Sequence, residues 1–193
     1  AHPGWTLLHE AARRGSVDVA RALIARGGVV DAECQQGTAL HAAARKGHVE
    51  MATLLLEHEA DVNKVRHEAG VAWTPLHEAV MGAGSEGWAR TRTQVVELLL
   101  ARGADANAVQ DDVAHPGWTL LHEAARRGSV DVARALIAGG GDVDALCQEG
   151  TALHVAASQG DSEMARLLLR MDADVNKLRW DHAGVCWTPL HEA

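Results

Sequence analysis

One four-residue pattern, Thr-x-Leu-His, constrains the fold of this 193-residue chain more than any other feature. It starts six times, at Thr6, Thr38, Thr74, Thr119, Thr151 and Thr188. A recurring period of about 20 to 50 residues indicates stacked repeats, each of which buries its apolar face against the next. We therefore expect a linear array of repeats rather than a fold around one central core.

Each repeat carries the local signals of two short helices. Thr74 and Pro75 suit a helix N-cap followed by proline in the first turn. A glycine that can take the left-handed backbone of a helix end follows the first helix at Gly15, Gly47, Gly128 and Gly160. Ser16 is the expected cap of a second helix, with a buried stripe at Val19, Ala20, Leu23 and Ile24. Such short helices are stable only when stacked, and the Asp/Asn-rich links between pairs indicate projecting hairpins.

The chain resembles the ankyrin repeat family from end to end. Besides the six motifs, it carries Gly-Ala-Asp-Ala-Asn at 103–107 and Ala-Asp-Val-Asn at 60–63 and 173–176. The resemblance implies an all-α fold with β-hairpin loops: an ankyrin-repeat α-solenoid of stacked helix-turn-helix units. It further implies a single domain over residues 1–193, with about five full units and a C-terminal stump.

A longer period lies on top of this one. Residues 1–25 recur without change at 114–138, and most of 26–63 recurs at 139–176. We therefore divide the domain into module one, 1–113, and a partial second copy, 114–193. Framework residues are kept while expected surface positions vary, which is typical of an interaction scaffold. A natural and an engineered origin both stay open.

Several features depart from the family pattern. The links at 63–74, 107–119 and 176–188 are longer than usual, and an insertion lies within 81–93. Glu59 and Asp172 stand where the family has a helix-ending glycine, so frayed or reshaped but tolerated helix ends are expected there. Neither end of the array has a polar capping unit, which suggests either a piece of a longer array or, as we favour, end-to-end association between chains.

Charge and composition exclude other classes. The net charge is −8, and no Lys/Arg cluster is visible along the sequence, which argues against a duplex nucleic acid partner. No apolar run is long enough to span a membrane and no signal peptide is visible, so a cytoplasmic location is expected, with the nucleus not excluded. Three cysteines without CxxC spacing predict reduced thiols rather than disulfides or structural zinc.

The resemblance implies that the residue before each motif, near a hairpin base, faces a partner. Tryptophan, the residue type most enriched at binding hot spots, holds that position at Trp5, Trp73, Trp118 and Trp187. Packing of these indoles against neighbouring hairpins is the alternative. Trp180 and Trp88 are the better candidates for exposure. Further partner-binding candidates are Arg45, Lys46 and Leu146, and the apolar residues Met171 and Cys186 also stand at variable positions.

Catalytic and metal chemistry find little support. In the family, the motif histidine forms hydrogen bonds to its turn and to neighbouring units, and His9-Glu10 lacks the second histidine of a zinc protease helix. Gly82 to Gly87 matches G-x-G-x-x-G, but a helix, not a strand, is expected before it. We therefore predict that the protein is not an enzyme and that it binds neither a metal ion nor a cofactor.

The favoured function is a non-enzymatic scaffold that recognises a protein through its hairpin tips and concave helix face. A small-ligand sensor is the alternative. Ankyrin domains that bind oligoadenylates also have long hairpins and a tryptophan before Thr-Pro-Leu-His, and this chain is similar at 73–77 and 187–191. Stacking on tryptophan is worth about 1 to 3 kcal/mol per base. Quenching of tryptophan fluorescence by oligonucleotides separates the two hypotheses.

Overall fold

The computed structural model describes residues 4–68, 70–82, 89–110, 116–180 and 186–192. Within these ranges the helices are α1 (Leu7–Arg14), α2 (Val17–Ala25), α3 (Ala39–Lys46), α4 (Val49–Glu57), α5 (Pro75–Met81), α6 (Ala89–Ala101), α7 (Leu120–Arg126), α8 (Val130–Ala138), α9 (Ala152–Ser158), α10 (Ser162–Arg170) and α11 (Pro189–Glu192). The strands are β1 (Arg66–Glu68), β2 (Val71–Trp73), β3 (Val109–Gln110), β4 (Trp118–Thr119), β5 (Arg179–Trp180) and β6 (Cys186–Trp187). The predicted all-α class with small hairpins is confirmed.

The chain divides into two compact units, residues 1–105 and 106–193. The boundary precedes the start of the second module copy. In unit 1, the inner helices α1, α3 and α5 lie side by side, and α2, α4 and α6 form an outer row behind them. In unit 2, α7, α9 and α11 are the inner helices, with α8 and α10 behind. Each unit is thus a stack of antiparallel helix pairs.

The inner helices start and end as their sequences predict. Thr74 caps α5, and its side chain accepts from the backbone N–H of His77, while Pro75 stands in the first turn. The predicted helix-ending glycines all take positive φ, for example 70° at Gly15 and 68° at Gly47. These glycines end α1, α3, α7 and α9 after about two turns.

The outer helices differ from expectation in two details. Ser16 stands at the N-cap of α2, but its side chain makes no cap hydrogen bond. Ala20 in the predicted stripe is fully buried, whereas Val19 is 53% exposed. Within unit 1, α2 has only one neighbouring outer helix, α4, so the Val19 side of α2 stays uncovered.

We call the described parts of the links between repeats fingers: residues 27–37 and 59–73 without 69 in unit 1, and residues 140–150, 172–180 and 186–187 in unit 2. The longer finger of each unit contains a pair of antiparallel strands, with Arg66 opposite Trp73 and Arg179 opposite Trp187. The shorter finger of each unit closes with a single bridge, Cys34 to Gly37 or Cys147 to Gly150. The predicted mixture of long and short hairpins is therefore present.

The long fingers start at the two residues that replace glycine. Glu59 and Asp172 have φ of 61° and 63°, the left-handed conformation that glycine takes elsewhere. The expected fraying at Glu59 is wrong, because the N–H of Ala60 still donates to the carbonyl of Leu55 over 3.0 Å and closes the helix. Tolerance of a non-glycine residue is confirmed.

The core is built from small and medium apolar side chains. Alanines at 12, 43 and 44 are fully buried on the inner helices and let neighbouring helices approach closely. Leucines and methionines of the outer helices, such as Leu55, Met51 and Leu168, fill the space behind them. No helix in the described ranges has both the length and the apolar character that crossing a bilayer requires.

Candidate binding surface

The motif threonine and histidine hold the base of each finger. The N–H of Thr6 donates to Nδ1 of His9 over 3.1 Å. Because Nδ1 accepts this bond, the proton of the neutral ring lies on Nε2, which donates to the carbonyl of Gly37 over 3.0 Å. His41 repeats the arrangement and donates from Nε2 to the carbonyl of Trp73 over 3.1 Å. Each histidine thus ties the start of its own helix to the end of the following finger.

The same bonds recur in unit 2. His122 Nε2 donates to the carbonyl of Gly150 over 3.0 Å, and His154 Nε2 to that of Trp187 over 3.1 Å. Burial lowers the pKa of His41 to about 4, and burial also lowers the pKa of His9 and His122. These rings are neutral at pH 7 and serve as structural ties, as the family resemblance implied.

Asp and Asn side chains join successive fingers. In unit 1, the N–H of Asp61 donates to the Asp31 carboxylate over 3.0 Å, and the N–H of Asp105 donates to Oδ1 of Asn63 over 3.0 Å. In unit 2, the N–H of Asp174 donates to Oδ1 of Asp144 over 2.9 Å. The sequence marked these residues only as turn formers. Their regular spacing of about one repeat was the signal that they form a ladder.

The tryptophans that precede the motifs pack on the motif histidines. Ring centroids lie 5.2 Å apart for Trp5 and His9 and 6.1 Å apart for Trp73 and His77. Trp5, Trp73 and Trp187 are half-buried, and each therefore keeps some exposed surface. Trp118 is only 4% exposed. Its expected role as an exposed anchor is therefore not supported by its position.

Two other candidate tryptophans give less information. Trp180 belongs to β5 in the long finger of unit 2. Trp88 lies outside the described residues, as do most of the insertion and the G-x-G-x-x-G match. The roles of both residues in partner binding stay predictions.

Arg45 forms part of an ion-pair cluster inside unit 1. Its guanidinium donates two bonds of 2.9 Å to the carboxylate of Glu78, which is almost fully buried. Arg66, also buried, donates to the same carboxylate over 2.7 Å and to Glu68 over 2.7 Å. The Arg66 guanidinium carbon lies 5.3 Å from the ring centroid of Trp73. This cluster fixes the long finger to two inner helices, and sequence reasoning missed its members Arg66, Glu68 and Glu78.

Finger chemistry differs between the units. In unit 1, Nζ of Lys64 lies 2.6 Å from the Glu33 carboxylate and joins the two fingers by an ion pair. In unit 2, the counterpart of Glu33 is Leu146, which is 49% exposed, and Leu178 on the next finger is 43% exposed. The predicted candidate Leu146 is therefore on the surface, and Leu178 adds a second apolar side chain that the sequence did not single out. Lys46 and Met171 are half-buried, and Cys186 stands in β6.

The space between the fingers of unit 1 is small for a small-molecule ligand. The cavity between the fingers of unit 1 measures about 110 Å³, whereas small-molecule sites typically occupy about 300 to 1,000 Å³. The Cys34 thiol beside it donates to the carbonyl of Gly37 over 3.1 Å, and burial raises the pKa of Cys147. No group of three or more His, Cys, Asp or Glu side chains converges within the described ranges.

Comparison with known proteins identifies the repeat. A family model described as ankyrin repeats in three copies matches residues 1–66 and 87–179. Human protein phosphatase 1 regulatory subunit 27 is 42% identical over 84 residues, 44% of this chain and 46% of that protein. The mouse protein of the same name is 39% identical over 84 residues. Mouse 2-5A-dependent ribonuclease is 47% identical over 47 residues, 24% of this chain and 6% of that protein. The chain covers less than half the length of each of these relatives.

Proposed function

The chain belongs to the ankyrin repeat family, and from that premise we propose that it is a non-enzymatic scaffold that binds a protein partner through its fingers and inner helices. The observation that carries the proposal is the pair of exposed leucines, Leu146 and Leu178, on fingers held by buried histidines. Because His122 and His154 tie the finger bases down, little conformational entropy is lost when a partner binds.

In unit 2, Trp187 adds a half-exposed indole to the two leucines, and in unit 1 Trp5 and Trp73 present half-exposed indoles of their own. These indoles stand at finger bases, where Trp73 and Trp187 are held through their own carbonyls. Leu146, Leu178 and Trp187 form the apolar centre of the interface proposed for unit 2. The polar rim comes from finger carboxylates and amides.

The phosphatase relatives support a regulatory binding role. They carry the name of a regulatory subunit of protein phosphatase 1, and their similarity to this chain covers 84 residues of repeat sequence. Protein phosphatase 1 is therefore the first partner to test. The match to the ribonuclease spans 47 residues of repeat framework, and Arg66 lies over Trp73 where a base would stack. We expect oligoadenylates not to quench tryptophan fluorescence.

A charge substitution on a finger tests the proposal directly. Leu146→Glu places on unit 2 the residue that module one carries as Glu33, so the fold accommodates it. Leu169→Glu is the matched control, because Leu169 is similarly exposed but lies on the outer helix α10.

The measurement is the amount of protein that wild type and both variants bind. It is made once with cell extract and once with purified protein phosphatase 1. Loss of a hot-spot side chain costs at least about tenfold in affinity. We expect that loss for Leu146→Glu and less than twofold change for Leu169→Glu. Equal binding by all three proteins contradicts finger recognition.

A further inference from the structure

A basic edge runs along unit 1 at the end of the inner helices farthest from the fingers. Each inner helix starts beside a finger, and the chain continues from its last turn towards the outer helix. Cations stand at three of these connections: Arg13 and Arg14 in the last turn of α1, Lys46 in the last turn of α3, and Arg90 and Arg92 in the first turn of α6. We call these five residues the basic edge.

Contacts between the loops make this edge continuous. The His48 ring lies against Gly15, where an added Cβ would approach it to 3.0 Å, and His48 Nε2 donates to the carbonyl of Arg13 over 3.3 Å. The next loop is equally close to α6, because a Cβ at Gly47 would lie 3.1 Å from Oγ1 of Thr91. The guanidinium of Arg92 donates to the carbonyl of Gly82. Cations far apart in sequence therefore lie on adjacent loops.

This juxtaposition brings together cations that form no cluster along the sequence. Opposing carboxylates only partly neutralise it. Glu10 alone accepts from both Arg13 and Arg14, while Lys46 and Arg90 form no ion pair among the described residues. Asp18 and Glu50 stand in the first turns of α2 and α4. Among the residues that the structure describes, five cations thus stand beside three carboxylates on this edge.

Arg13, Arg14 and Lys46 stand in the last turns of α1 and α3, where the helix dipole favours cations, but helix stability does not account for the arginines of α6. The first turn of α6 contains two arginines and no acid, although cations at a helix N-terminus are unfavourable. In unit 2, Ser158 and Gln159 replace Arg45 and Lys46, yet Gly160 ends that inner segment with φ of 67°, as Gly47 does with 68°. The helix end forms equally well without the charges, so Lys46 is not needed to build it.

An open cavity of about 310 Å³ lies along the edge. Its lining includes Gly15, Gly47, Thr91 and Gln94 and one carboxylate, Glu50, while none of the five cations named above lines it. Neighbouring helices pack about 8 to 10 Å apart, so three loops span about 20 Å. An extended peptide rises about 3.3 Å per residue, so about six residues match this length.

We propose that the basic edge of unit 1 binds an acidic segment of a protein partner, an extended stretch of about six residues rich in Asp and Glu. Single carboxylates spaced along a peptide suit cations spread over three loops with Glu50 between them. Glu50 and the net charge of −8 oppose every polyanion, and they oppose a phosphate backbone more strongly than a peptide with spaced carboxylates, because its charge is denser. The proposal rests on the binding role above but not on the fingers, so the two can fail separately.

The test uses a fluorescein-labelled eight-residue peptide of alternating Glu and Gly, with a Gln-Gly peptide of equal length as the neutral probe. Fluorescence anisotropy measures its affinity for the full chain and for Lys46→Gln/Arg90→Gln. The matched control is Arg166→Gln/Arg170→Gln, which removes two exposed cations from α10 in unit 2. Circular dichroism verifies that every variant keeps the wild-type helical spectrum.

We expect the edge variant to bind the acidic peptide at least about fivefold more weakly than wild type. The control should change affinity less than twofold, and the neutral peptide should not bind. Absence of acidic-peptide binding by wild type, or equal weakening by both variants, overturns the proposal. Loss of peptide binding in Leu146→Glu with no loss in the edge variant assigns the acidic segment to the fingers and also overturns it. Tighter, edge-dependent binding of a single-stranded oligonucleotide of equal charge overturns it in favour of nucleic acid.

Discussion

The repeat of α3 and α4 in unit 1 and the repeat of α9 and α10 in unit 2 derive from the same sequence module, yet they present different chemistry. Both keep the buried threonine and histidine, the left-handed glycine and the apolar outer helix. They differ where side chains reach water: Glu33 becomes Leu146, Lys46 becomes Gln159 and His48 becomes Asp161. We infer that the stability of both repeats depends on the same buried polar hydrogen bonds. Residues on the surface can differ without changing these bonds.

Lowering the pH should have the largest effect, because it destabilises the hydrogen bonds of the motif histidines that both repeats share. Burial lowers the folded-state pKa of His41 to about 4, so the unfolded chain binds more protons between that pH and about 6.5. The stabilisation is fully present above the unfolded-state pKa and is lost as pH falls through the folded-state pKa. His41 alone then accounts for about 3 kcal/mol, and His9 and His122 shift in the same direction.

Urea unfolding between pH 7 and pH 4 measures this loss, with hydrogen exchange of backbone amides to follow each unit separately. We expect both units to lose protection together, because both contain the histidine ties. A flat stability across this range would mean that the rings titrate normally. Loss of amide protection in only one unit would contradict the interpretation that both units depend on the same histidine hydrogen bonds.

The ion-pair cluster of Arg45, Arg66 and Glu78 gives the next largest effect. Glu78→Ala leaves two cations without their shared carboxylate and should destabilise unit 1 by about 2 kcal/mol. This is less than the about 3 to 5 kcal/mol of a fully buried pair, because Arg66 keeps Glu68 and Arg45 is partly exposed. The matched change is Glu123→Ala in unit 2, where Arg126 and Arg127 both reach water.

Denaturant midpoints of the two variants compare the clusters. A smaller loss for Glu123→Ala is expected. Equal losses would mean that the cross-repeat cluster contributes no more than an ion pair within one helix and its following turn. Glu78→Gln keeps the shape of the side chain and separates lost charge from lost packing.

Sequence alone predicted the helix starts, the helix ends and the finger lengths, because caps and turns depend on residues close in the chain. It did not predict the cluster around Glu78, whose partners lie 33 and 12 residues away in the chain. The basic edge was missed for the same reason, since Arg14, Lys46 and Arg90 lie on successive repeats. The sequence left open whether Trp118 is exposed or packed, because its burial depends on packing that a local motif does not encode.

The smallest effect concerns the outer helices α4 and α10, which start at His48 and Asp161. The Asp161 carboxylate accepts from the N–H of Glu163 over 3.1 Å and of Met164 over 3.0 Å, whereas the His48 side chain makes no cap bond. Asp161→Ala should therefore destabilise α10 by about 1 kcal/mol, and His48→Asp should stabilise α4 by a similar amount or less. Some of that gain is offset because the His48 bond to the Arg13 carbonyl is lost. Hydrogen exchange in the first turns of α4 and α10 measures both changes, and a destabilised α4 in His48→Asp would show that the tie between loops outweighs the cap.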